Sequence, residues 1–152
     1  MPNQKTSVKV QEAKHGDLKG LLESLTNLTS LEGLTVSEAK DILDEIALNK
    51  GHKIFVAKNK KGMVIGTATV LLEPKMIHGG CVVAHIEDVA VRKGSEGKGV
   101  GSALMKQAVA YAKKRRCYRI ILDCSEQNVG FYKKFGFKSH GIEMRLNLGR
   151  KI

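Results

Sequence analysis

The chain has 152 residues, 42% of them hydrophobic and 27% charged, which fits one globular domain with its own core. The net charge of +11 favours anionic ligands or surfaces without choosing among them, but 5% aromatics, scattered charge and no recognised motif argue against a nucleic-acid partner. Three cysteines without a C-x-x-C pair exclude a disulfide framework and a structural zinc site. They suit a reducing compartment. With no apolar leader and no run of membrane length, the expectation is a cytoplasmic protein away from the membrane.

Val8 and Val10 alternate with lysine, which predicts a short first strand. His15-Gly16-Asp17 offers a cap for a helix carrying Leu18, Leu21, Leu22, Leu25 and Leu28. After a turn at Glu32-Gly33, a second helix is expected, with Ser37 as its cap and Gly51 as its stop. Its apolar face would be Ala39, Ile42, Leu43, Ile46 and Ala47. Residues 54–57 and 63–72 read as strands around the hairpin turn Asn59-Lys60-Lys61-Gly62, and Pro74 ends the second. Residues 75–80 read as a loop and 81–91 as a long strand, bent near its middle. Glu87 and Asp88 interrupt the apolar run of that strand, which marks it for chemistry.

A helix over 102–116 places Leu104, Ala108 and Tyr111 on one stripe with Met105, Val109 and Ala112 beside it. Basic residues 113–116 complement its C-terminal dipole. Residues 119–124 (RIILDC) read as a buried strand ending in an acid. Ser125 would cap a short helix through Asn128, Phe131, Tyr132 and Phe135, stopped by Gly136 before a last extended region, 137–148. This order predicts a single α/β domain over 1–152, with a mixed, mostly antiparallel central sheet and one crossover helix.

Glycines 94, 97, 99 and 101 stand between the long strand and the helix after it. Close backbone approach, outward N–H groups and a helix N-terminus together suit an anion. A Walker A string is absent, and a dinucleotide fingerprint fails because Ser102 occupies its third glycine position. The spacing Glu96, Gly99, Gly101 instead resembles the acetyl-CoA loop of the GNAT N-acetyltransferase superfamily, whose pattern is Gln or Arg, two residues, Gly, one residue, Gly or Ala. HIEDVAV, GKGVG and CYRIILDCSEQNVGFYKKFGF, with the weaker LTSLEGLT and KMIHGG, resemble the branch of that superfamily that acetylates glucosamine 6-phosphate. The likeness runs over residues 8–148.

The resemblance implies the GNAT acyl-CoA N-acyltransferase fold, with splayed strands at the acetyl-CoA site. It implies acetyl-CoA as co-substrate, no metal, and glucosamine 6-phosphate as acceptor on the way to UDP-N-acetylglucosamine. Main-chain groups of Val89, Ala90 and Val91 would meet the thioester and pantetheine. Glu96, Gly97, Lys98, Gly99, Val100 and Gly101 would cradle the pyrophosphate, and Asn128 would contact the CoA arm. Tyr132 matches the general acid, although a tyrosine there reads by itself as core. Glu87 matches the base, Asp88 a substrate contact, and Asp123 the acid that orients the amine. Thr29, Lys75, His78 and Arg119 match positions that hold the sugar phosphate, Arg119 from across a homodimer whose sites lie at the subunit interface. Two residues depart from the pattern. Glu96 stands where relatives have Gln or Arg, and Asn147 where they have a phosphate-binding arginine, which Arg145 would replace. A GNAT enzyme acting on another amine, such as a protein lysine, a polyamine or a different amino sugar, is the alternative. Exchange of an extended C-terminal strand between subunits would fit the dimer.

Overall fold

In the computed structural model residues 7–149 are described, and the chain forms two units that divide between Leu122 and Asp123. The first unit is built on a five-stranded sheet in chain order: β1 (Lys9–Glu12), β2 (His52–Lys58), β3 (Val64–Pro74), β4 (Val82–Val91) and β5 (Arg119–Ile121). Neighbours from β1 to β4 run antiparallel, and β5 joins β4 in parallel after a helical crossover. The mixed, mostly antiparallel sheet expected from the sequence is therefore present. Asn59 closes the β2–β3 hairpin, its Oδ1 accepting N–H bonds from Lys61 and Met63, while Gly62 takes the left-handed φ of 77°.

Helices α1 (Leu18–Leu25) and α2 (Val36–Leu48) bury Leu18, Leu21, Leu22, Ala39 and Leu43 against Val56 and Val64. Each buried leucine contributes about 1.5–3 kcal/mol. Thr35, not Ser37, caps α2, through a reciprocal box in which Glu38 N–H donates to Thr35 Oγ1 and Thr35 N–H to the Glu38 carboxylate. Gly51 does not end that helix: Asn49, in extended conformation, follows its last residue. Asp17 does not cap α1 either. Its buried carboxylate accepts from Lys14 N–H and pairs with Lys58 at 2.6 Å. Leu28 lies beyond α1 and is exposed.

Residues 77–80 form a short irregular turn, α3 (Ile77–Gly80), in which His78 and Gly79 are left-handed. On the opposite side of the sheet from α1 lies α4 (Val100–Lys114), which starts two residues before the expected Ser102 and buries Val100, Leu104, Met105, Ala108 and Ala112. It reaches the sheet closely because Gly66 has no side chain. A Cβ there would stand 2.7 Å from Val100 Cγ1 and 3.1 Å from Leu104 Cδ1. The expected buried strand over 119–124 shortens to the three residues of β5, with Ile121 exposed.

The second unit holds a 3-10 turn, Glu126–Asn128, leading into the five-residue α5 (Val129–Lys133). Ser125 precedes the turn but makes no side-chain cap, and Gly136 ends the helical segment at φ 88°. Residues 137–149 carry no strand or helix, so the expected last strand finds no sheet among the described residues. Ile142, Met144, Leu146 and Leu148 alternate along it and are all exposed.

Gly66→Ala should lower unfolding stability by about 1–3 kcal/mol through overpacking against α4. Urea denaturation measures this, and an unchanged midpoint would mean that α4 shifts without cost.

Candidate active site

The site of the first unit begins with an irregularity in β4. Thr69 pairs with Glu87 and Thr67 with Ala90, so β4 carries one residue more than β3 over this interval. Asp88 absorbs it at φ 49°. This is the bend expected near the middle of the strand, and it falls on the two acids that interrupt its apolar run. On the other side of β4, β5 pairs only with Val83, Ala84 and His85. From Ile86 onward that edge of β4 meets no strand among the described residues of the unit, so alternate N–H groups there are open to a ligand. Val89, Ala90 and Val91 lie on this stretch.

Glu87 is half-buried and Asp88 exposed. Glu87 and Ala90 share a sheet face with their partners Thr69 and Thr67. Both threonines line a cavity of about 220 Å³ under α1 and α2, together with Asp88 and His52. The remainder of its wall is apolar. Burial lowers the His52 pKa from its ordinary value, favouring the neutral ring. Sequence reasoning did not find His52, because nothing in its neighbourhood marks it apart from other strand residues.

Beyond Val91 the chain turns through Gly94, Gly97 and Gly99, all at positive φ, into α4. Gly99 is the N-cap residue and offers no side-chain oxygen, so the first-turn N–H groups of α4 have no side-chain cap. Cβ atoms built at Gly97 and Gly99 would meet nothing within 4 Å, so this backbone is open to an approaching group. An exposed, anion-seeking backbone of this kind fits a diphosphate. Glu96 does not point into it. Its carboxylate folds back to accept from Gly94 N–H at 2.7 Å and from Asn27 Nδ2 at 3.0 Å. Hydrogen bonds from its own and the Gly94 N–H groups hold its pKa below the ordinary carboxylate value.

A second cluster gathers at the start of β4 and β5. The His78 ring stacks on Tyr118 with centroids 4.8 Å apart, and the Arg119 guanidinium lies 4.7 Å from the same ring. His78 Nε2 and Arg119 Nη2 are 3.5 Å apart. Two side chains expected to hold phosphate are thus brought together, with Tyr118 as their platform. Lys75 is placed differently, since its ammonium pairs with Glu73 at 2.7 Å. Glu73 also meets His85 Nε2 at 2.6 Å, and the Lys75 and His85 bonds lower its pKa. Thr29, just past the end of α1, is exposed.

In the second unit, Asn128 and Tyr132 stand four residues apart, at the N-cap and inside α5. Tyr132 packs edge-on against Phe131 and Phe137, at 5.0 and 6.2 Å. Burial raises its pKa, with Cys124 adding to the effect, so the phenol keeps its proton. Asp123 and Asn128 are exposed. Arg145 does not stand free for an anion, because its Nε donates to Glu143 at 3.0 Å.

Comparison with known proteins places the chain in a family. The profile described as Acetyltransferase (GNAT) family matches residues 22–137. Glucosamine 6-phosphate N-acetyltransferase of Trypanosoma brucei brucei is 36% identical over 89% of this chain and 92% of its own length. The Candida albicans protein of the same name is 36% identical over 81% of this chain and 83% of its own. A crystal structure of glucosamine-6-phosphate N-acetyltransferase from Arabidopsis thaliana superposes with a TM-score of 0.88 at 29% identity, covering 94% of this chain and 99% of that one. The chain belongs to the GNAT acetyltransferase family, in its glucosamine 6-phosphate N-acetyltransferase branch.

Proposed function

We propose that this protein transfers the acetyl group of acetyl-CoA to the amine of D-glucosamine 6-phosphate, giving N-acetylglucosamine 6-phosphate and CoA for UDP-N-acetylglucosamine synthesis. One observation carries the proposal: an uncapped helix N-terminus and a left-handed glycine loop adjoin a strand whose edge is open beyond Ile86. The family match runs across the boundary at Leu122, which supports reading both units as one catalytic domain.

Acetyl-CoA supplies an acyl group activated as a thioester with a thiol leaving group. Backbone N–H groups of residues 97–101, beyond the Glu96 N–H that its own carboxylate takes, hold its pyrophosphate, Val89, Ala90 and Val91 hold the pantetheine and the thioester oxygen, and Asn128 meets the CoA arm. Glu87 takes, directly or through water, the proton that the sugar amine loses as its nitrogen bonds to the acetyl carbon. Asp123 orients that amine, Asp88 holds sugar hydroxyls, and Thr29 gives its hydroxyl to the sugar phosphate. Tyr132 gives its phenolic proton to sulfur as the carbon–sulfur bond breaks. Its raised pKa keeps that proton available at neutral pH. Arg119 and His78 receive the sugar phosphate, and Lys75 and Arg145 join them on exchanging Glu73 and Glu143 for phosphate oxygens.

The active assembly is a homodimer in which Arg119 serves the partner's site. The exposed alternation of Ile142, Met144, Leu146 and Leu148, a strand pattern that joins no sheet among the described residues, supports this. Among the described residues no helix is long and apolar enough to cross a membrane, and we place the enzyme in the cytoplasm. A second reading, acetylation of another amine, draws on Asn147 at the arginine position and on the pairing of Arg145 with Glu143.

CoA release measured against a panel of amines decides between the two readings. Turnover should be greatest with glucosamine 6-phosphate, and none with that substrate would overturn the proposal. Tyr132→Phe should lower kcat about 100-fold with little change in acetyl-CoA affinity. The wild-type pH–rate profile should retain the contribution of this proton until pH passes above the ordinary tyrosine value of 10.0, since burial raises the pKa. An alkaline loss that begins below that value and disappears in the Phe variant would contradict the assignment. Arg119→Ala should raise KM for glucosamine 6-phosphate roughly tenfold or more, in line with loss of a charge-assisted pair. If KM for the sugar phosphate is unchanged, Arg119 does not hold the phosphate.

A further inference from the structure

The family position that faces CoA with Gln or Arg holds an acid in this chain, and the acid is engaged. Glu96 Oε2 accepts the Gly94 N–H at 2.7 Å, and Oε1 accepts Asn27 Nδ2 at 3.0 Å. The same Asn27 nitrogen donates to Val91 O at 2.8 Å, at the last residue of β4. One amide therefore bridges the two ends of the stretch that leads from the strand into the glycine loop. Four residues earlier on the chain, Glu23 pairs with Arg92 at 2.7 Å, so a second tie joins α1 to the same stretch. Lys98 Nζ closes the loop on itself by donating to Gly94 O at 3.2 Å.

We infer that Asn27 and Glu96 form a clamp that presets the acetyl-CoA loop, making both of them positioning residues for cofactor binding. This rests on the reading of residues 97–101 as the pyrophosphate cradle. Six of the eight residues from 92 to 99 are exposed, and three of the eight are glycines at positive φ, so the backbone has little packing to fix it. Its shape must come from hydrogen bonds. A carboxylate on the Gly94 N–H holds the first half of the loop, and the Asn27 amide fixes that carboxylate to the end of α1. The N–H groups further along, at the mouth of α4, remain for the diphosphate. Turning the acid inward in this way also removes the conflict between a negative side chain and an anionic ligand. A loop already in its binding shape loses less conformational freedom when the ligand arrives.

Asn27→Ala, Asn27→Asp, Glu96→Gln and the pair Asn27→Asp/Glu96→Gln test the clamp in the full-length enzyme. Asn27→Ala should raise KM for acetyl-CoA roughly five- to tenfold, the scale of a hydrogen bond to a charged group. Its kcat and its KM for glucosamine 6-phosphate should stay within about twofold, the scale of a surface change away from both. Asn27→Asp sets two carboxylates against each other and should raise that KM further, whereas adding Glu96→Gln restores a donor to the contact and should recover part of the loss. Tighter acetyl-CoA binding by Glu96→Gln alone would mean that charge repulsion outweighs the clamp, and would overturn the inference. Equal acetyl-CoA KM for Asn27→Ala and wild type would overturn it too. Gly99→Asp, measured by calorimetric titration with CoA, separates the two levels. If it leaves CoA affinity intact, the loop is not the cradle and the underlying reading falls with the inference. If it weakens CoA while Asn27→Ala does not, only the clamp falls.

Discussion

Asp88 sits at φ 49° inside β4, where a non-glycine residue is strained by roughly 1–3 kcal/mol unless the surroundings impose it. The surroundings here are the paired strands on either side of the extra residue. β5 pairs with β4 only as far as His85, and the bulge follows within three residues, where β3 alone still pairs with β4 among the described residues. The bulge thus falls on the stretch where one edge of the sheet has already lost its strand partner. It also brings Glu87 and Asp88 to that point, so acid and open backbone arise from the same irregularity. The glycine loop follows within a few residues, and α4 then brings the chain back over the sheet at Gly66.

This dependence explains which parts were legible in the sequence. The periodic segments were: apolar residues at helical spacing gave α1, α2 and α4, and alternation with a Gly-containing turn gave the β2–β3 hairpin. Their ends were less legible, because caps compete. Thr35-x-x-Glu38 satisfies two backbone groups reciprocally, whereas Ser37 would have had to act alone. The apolar run in 119–124 suggested a buried strand, but a strand is only as long as its partner. Pairing ends with His85 shortly before the bulge in β4, and Ile121 is left exposed.

Site residues divide in the same way. Glu87, Asp88 and the glycines lie close together in sequence, so their pattern marked them as candidates. Contacts made across strands were hidden. Glu73 reaches His85 because the β3–β4 register pairs Leu71 with His85 and Glu73 with Val83, which puts the two side chains diagonally on one face. Tyr118 becomes a platform only once α3 turns His78 back onto it in a left-handed conformation. Asn27 lies just past the end of a helix, where nothing local distinguishes it from an ordinary polar terminus.

The charges around the site are restrained in two distinct ways, and the difference bears on how an anionic ligand is met. Lys75 and Arg92 are paired with Glu73 and Glu23, partly exposed contacts of the kind that contribute little and exchange readily. Such cations can leave their partners for a phosphate at little cost. Glu96 is held by backbone N–H groups, including its own, and these cannot move without remaking the loop. On the proposed reading, a diphosphate would therefore meet the loop with this contact in place. The excess of basic residues draws anions towards the protein, and on the proposed reading the loop selects among them by shape, with main-chain donors set by an acid of the chain itself.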